Sequence, residues 1–113
     1  MTPGALEKAA LALAGAELSI KWGDDRCYVV GGKMFAATDG ASTNLSLKMT
    51  DIAFEALTET GRGRPAPYMA RAKWVMFDDV AALDAAEVAD WLKTAHALVA
   101  AKLPRKLQAE LGI

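Results

Sequence analysis

Two periods of hydrophobic residues alternate along the chain. Leu6, Ala10 and Leu13 recur at helical spacing behind Thr2 and Pro3, which suit an N-cap and a first helical position. Gly15 stops that run. The period then drops to two, with Leu18, Ile20 and Trp22 alternating against Glu17, Ser19 and Lys21, as in a strand. Arg26–Val30 and Lys33–Thr38 flank Gly31-Gly32, a pair that supplies the positive φ angles of a tight hairpin. Asp39-Gly40 marks a second turn. After it Leu45, Leu47 and Met49 face one way and Asn44, Ser46 and Lys48 the other, predicting a half-buried antiparallel strand.

A short helix follows from about Thr50 to Thr60, with Thr50 as cap, Ile52, Phe54 and Leu57 as anchors and Gly61 as exit. Gly61 to Pro67 is a Gly/Pro loop, and a fifth strand covers roughly Ala72 to Phe77. The last long helix starts at Asp84 and Glu87 and buries Val88, Leu92, Ala95, Val99 and Leu103; Pro104 ends or restarts it, leaving a short helix to Leu111. The order is α-β-β-β-β-α-β-α. That is an α+β fold, an antiparallel sheet with helices packed on one face and the other face more open. With 113 residues, the chain buries one core and reads as one domain spanning 1–113.

Charge complicates any nucleic-acid reading. Lys and Arg number 13 against 14 Asp and Glu, so binding to phosphate requires the charges to be sorted into patches. Some sorting is visible: Thr60 to Phe77 holds Arg62, Arg64, Arg71 and Lys73 and no acid. Lys102, Arg105 and Lys106 form a second basic cluster, while acids gather at Asp24-Asp25 and from Asp78 through Asp90. The lone Cys27 forms no internal disulfide, which suits a reducing compartment and a buried structural thiol. The apolar run Ala9–Ala16 is too short to span a bilayer and lacks a positive leader, so the expected location is the cytoplasm, away from membrane.

Catalysis finds little support in these residues. His96 is the single histidine and falls in the apolar stripe of the last helix, the position of a packing residue with one satisfied nitrogen. No histidine or cysteine set has metal-ligand spacing, so neither metal nor cofactor is expected. Asp24-Asp25 and Asp78-Asp79 sit where turns are expected, which is where Asp hydrogen-bonds its own backbone. Gly31-Gly32-Lys33 lacks phosphate-loop spacing and leads into a strand.

Binding is better supported. Gly61-Arg62-Gly63-Arg64-Pro65 resembles the core of AT-hook peptides, whose extended arginines follow the floor of the minor groove. The same residues also read as a Gly/Pro connection with solvated arginines, because they bridge a helix and a strand. Trp74 has two readings as well: a core filler, or a stacking platform on the open face near Lys33, Lys48 and Lys73.

Taken together, several segments resemble the MmcQ/YjbR family of small bacterial proteins over nearly the full length. They are Pro3–Gly15, Trp22, Gly31-Gly32-Lys33-Met34-Phe35-Ala36, Leu47-Lys48, Pro65-Ala66-Pro67-Tyr68, Lys73-Trp74-Val75, Ala95, Leu98-Val99 and Leu103-Pro104. The resemblance implies a fold likened to CyaY or to secretion chaperones, a DNA-binding label with a double-wing arrangement, and no catalytic residue or cofactor. It points at Lys33, Lys48, Lys73 and Trp74, with Tyr68 beside them. His96 departs from the family, which often has tyrosine there.

Two functional expectations result. The first is a DNA-binding protein without catalytic activity, using Lys33, Lys48, Arg62, Arg64, Arg71, Lys73 and Trp74. The alternative is a protein-interaction module whose open sheet face around Trp74 docks a partner or a second copy. An enzyme would need a pocket gathering Cys27, His96 and a carboxylate, which is not expected.

Overall fold

The computed structural model describes residues 1–67 and 69–113, so Tyr68 lies outside the described residues. The helices begin where the side chains can cap them. Thr2 accepts the Ala5 N–H at 3.1 Å and opens α1 (Pro3–Leu11), and Thr50 accepts the Ala53 N–H at 3.1 Å and opens α2 (Asp51–Glu59). Asp84 accepts the Glu87 N–H at 3.0 Å and opens α3 (Ala85–Ala100). After Pro104 the chain restarts as α4 (Arg105–Glu110).

The strands are β1 (Ala16–Lys21), β2 (Asp25–Val30), β3 (Lys33–Thr38), β4 (Leu45–Lys48), β5 (Arg64–Pro65) and β6 (Trp74–Phe77). All pair antiparallel in one sheet of order β1-β2-β3-β4-β6-β5, with the helices on one face. Gly31 and Gly32 take φ of 57° and 78° in the β2–β3 hairpin, the two positive values expected of such a turn. The inward row Leu18, Tyr28, Ala36, Leu47 and Val75 runs across the sheet beneath the helices. Val88, Leu92, Ala95, Val99 and Leu103 close the core from above, the stripe predicted by their spacing. Arg26 pairs with Glu7 and ties β2 to α1.

Several local expectations are corrected. Tyr28 pairs with Ala36 while Val29 pairs with Met34, so a bulge lets the successive residues Phe35 and Ala36 both enter the core. Lys73 adopts a left-handed φ of 62° after a 3-10 turn at Ala70–Ala72, and so the fifth predicted strand begins at Trp74 instead of Ala72. Arg64–Pro65, predicted as loop, adds a two-residue edge strand. Of the three residues predicted to anchor α2, Leu57 is buried and Phe54 half-buried, but Ile52 is 82% exposed.

The β1 alternation also overreaches. The strand ends at Lys21, and Trp22 begins a turn with φ of 50°, leaving Ile20 53% and Trp22 72% exposed. The nine residues of α1 span about 13 Å, whereas six strand residues span about 20 Å. The helix therefore runs out before the hairpin does. No described helix is long and apolar enough to cross a membrane.

Candidate anion-binding surface

Antiparallel topology sends alternate turns to opposite ends of the sheet, and here it sorts charge. At one end lie the β2–β3 hairpin, the end of β4, the start of β6 and the α3–α4 corner. Gly31 permits that assembly: a Cβ on it would meet Leu103 Cδ1 at 2.7 Å and Leu107 Cδ2 at 3.1 Å. The hairpin that carries Lys33 is thereby seated against the corner that carries Lys102, Arg105 and Lys106. Lys48, at the end of β4, donates to the Ala72 carbonyl at 2.7 Å, and the Lys73 carbonyl accepts the Met49 N–H at 2.9 Å. Those two bonds bring Arg71 and Lys73 to the same end.

The cations at this end feel one another. The Lys48 ammonium is held below the ordinary lysine range, first by partial burial and then by Lys102, with Asp51 opposing the shift. Lys73 Nζ lies 5.0 Å from the centre of the Phe54 ring, a cation–π contact. Among the described residues, none of Lys33, Arg71, Lys102, Arg105 and Lys106 forms an ion pair. Every one of those five is exposed.

The opposite end collects acids. A Cβ on Gly40 would lie 2.5 Å from Asp24 Oδ2, so the β1–β2 and β3–β4 turns adjoin. Val80 N–H donates to the Thr43 carbonyl at 2.8 Å, which brings the stretch after β6 alongside. Asp39 accepts the Thr43 N–H at 2.6 Å and Asp79 the Ala81 N–H at 3.2 Å, the local turn bonds expected of such acids.

The candidate residues read from the sequence divide accordingly. Lys33, Lys48, Arg71 and Lys73 come together. Arg62 and Arg64 do not join them. Arg62 pairs with Glu87 at 2.7 Å and lies 5.7 Å from the Trp91 ring centre, which in turn stacks on Phe77. Arg64 pairs with Asp78 at 2.9 Å and contacts the Met76 sulfur at 3.0 Å. The Arg64 hydrogen bond draws the Asp78 carboxyl below its usual range, and the carboxylate raises the Arg64 guanidinium in return. With Arg64 and Pro65 built into the sheet edge, the segment lacks the free extended arm of an AT-hook, and the Gly/Pro-connection reading fits its geometry.

Trp74 sits at the basic end but is only 4% exposed, so its indole offers no face for stacking or docking. Its backbone is held at both polar groups: Ala66 N–H donates to the Trp74 carbonyl and Trp74 N–H to the Met69 carbonyl. That burial weighs against the alternative built on an open face around Trp74. Tyr68, named beside these residues, lies outside the described residues.

The remaining polar groups look structural. His96 is 7% exposed; its Nε2 lies 2.7 Å from the Ala14 carbonyl and its ring meets Phe35 edge-on. Cys27 is fully buried between Ser19 and Ala37 on neighbouring strands, and burial pushes its thiol up, away from the reactive thiolate. Lys102, Arg105 and Lys106 stand in the sequence as a cluster separate from the predicted site. The signal that joins them to Lys33 is the side-chain-free Gly31.

Fold and surface together define a small α+β domain with its charge sorted to opposite ends of one antiparallel sheet. The YjbR family model matches residues 11–98, and the chain belongs to that family. Lys102, Arg105 and Lys106 lie beyond the matched segment. Among solved structures, the chain resembles Deinococcus radiodurans protein DR2400, a crystal structure with family-model domain DUF419. The TM-score is 0.85 at 21% identity, covering 99% of this chain and 88% of that one. At that identity the likeness speaks for the fold. No curated protein sequence matches the chain.

Proposed function

We propose that the protein binds nucleic acid through the basic end of its sheet and performs no catalysis. The observation that carries this reading is the convergence of Lys33, Lys48, Arg71, Lys73, Lys102, Arg105 and Lys106 at one end of a chain whose net charge is only -1. Such sorting costs stability through like-charge repulsion, and an anionic polymer offsets that repulsion when it binds; Lys48, lowered first by burial, is lowered further by Lys102. Phosphate contacts of this kind position a protein on a duplex without reading its bases. The binder reading is favoured over an enzyme because His96 is committed to packing and Cys27 to the sheet interior.

Fluorescence anisotropy of a labelled duplex, titrated at two salt concentrations, tests the proposal. Binding should weaken steeply with salt, with log K falling by about 0.9 per phosphate contact for each decade. Absence of binding at low salt contradicts it.

A further inference from the structure

Trp22 is the most exposed aromatic among the described residues at 72%, and it holds a left-handed φ of 50° that bulky side chains rarely adopt. The turn therefore carries both apolar hydration and an unfavourable backbone conformation. Ile20, 53% exposed, widens the apolar patch, and Asp24 and Asp25 flank it with negative charge.

A complementary surface lies elsewhere on the molecule. The solvent side of α3 carries a shallow groove of about 540 Å³, lined by Lys93, Thr94, Ala97, Leu98, Ala101 and Lys102. Its floor is small and apolar, and a lysine stands at either end. Such a site suits a large apolar anchor accompanied by carboxylates, which is the chemistry of the Trp22 turn. We propose that the β1–β2 hairpin of one copy docks in the α3 groove of a second copy. The indole seats on Ala97, Leu98 and Ala101, and Asp24 and Asp25 face the rim lysines. The contact joins two different patches, so it is heterologous, and each copy keeps one of each. It shares Lys102 with the basic end but is argued from the Trp22 turn and the groove, and no nucleic acid enters its test.

Sedimentation velocity over a range of concentrations, at low and high salt, measures the association. Two variants divide the contact. Trp22→Asn removes the anchor while suiting the left-handed turn, and Ala97→Glu places a carboxylate in the groove at an exposed helical position. Wild type should self-associate, less so as salt rises. Each variant alone should associate about thirtyfold more weakly, the loss of one hot spot. An equimolar mixture of the two should regain association, because one supplies an intact groove and the other an intact hairpin. A chain that stays monomeric at every concentration, association that survives Trp22→Asn, or a mixture no tighter than either variant would overturn the proposal. Circular dichroism of both variants confirms that they are folded.

Discussion

The two ends of the sheet carry opposite charge and use it differently. At the acidic end most carboxylates are engaged by their own chain. Asp39 and Asp79 close turns, Asp84 caps α3, and Asp78 holds Arg64. At the basic end Lys48 and Lys73 have intramolecular contacts, but Lys33, Arg71, Lys102, Arg105 and Lys106 form no ion pair among the described residues. Most of the carboxylates used by the fold and most of the unpaired cations therefore lie at opposite ends of the sheet. The arginine-rich run from Thr60 to Phe77 is divided between the two, since Arg62 and Arg64 turn toward acids while Arg71 and Lys73 do not.

The comparison breaks most sharply under paired charge reversals. Lys33→Glu with Arg105→Glu should weaken duplex binding on the order of a hundredfold at low salt and flatten the salt slope by about two contacts. Arg62→Glu with Arg64→Glu should change affinity less than about threefold in the same anisotropy titration, because those guanidinium groups already serve Glu87 and Asp78.

Next in size is the hinge between sheet and corner. Gly31→Ala meets both a positive φ of 57° and the Leu103 methyl groups, and should cost about 2 kcal/mol in chemical denaturation. Gly32→Ala meets no atom within 4 Å and carries only the φ of 78°, so about 1 kcal/mol is expected. At the acidic end Asp84→Ala removes the α3 cap and should cost about 1 kcal/mol while leaving duplex affinity unchanged.

Smaller effects appear in pH dependence, with the same sign at the two ends but in different pH windows. Lys48 has a lowered value in the folded state, so the unfolded chain holds its proton more tightly. Its contribution to stability accordingly rises with pH between the folded value and 10.5. Lys102→Met should reduce the shift without abolishing it, since burial is the larger cause; carbon-detected NMR titration of the Lys48 side chain measures this. Asp78 has a lowered folded value, so its contribution is present above the unfolded aspartate value and is lost as pH falls through the folded one. Arg64→Ala should remove that acid-side dependence from thermal melts.

Much of the fold was legible because its determinants are local. Thr2, Thr50 and Asp84 announce helix starts within three residues of the N–H groups they cap, and Gly31-Gly32 encodes its own hairpin. The Val88–Leu103 stripe is likewise a property of one helix and its exit. The misses came from contacts distant in sequence. Arg62 finds Glu87 25 residues away, which no pattern in the Gly/Pro segment discloses. Trp74 is buried within a tertiary setting that its own segment does not disclose, and Trp22 is exposed because α1 stops short. The basic end was half visible: two cation clusters stand in the sequence, and the packing of Gly31 on Leu103 and Leu107 decides that they share one surface.

The most direct test of the sorted-charge account is amide chemical-shift mapping of the labelled protein as a short duplex is added at low salt. The account predicts shifts concentrated at Lys33, Lys48, Arg71, Lys73 and the Lys102–Lys106 segment, with the β1–β2 turn and the start of α3 unmoved. Shifts centred on Arg62 and Arg64, or no shifts at saturating duplex, would contradict it.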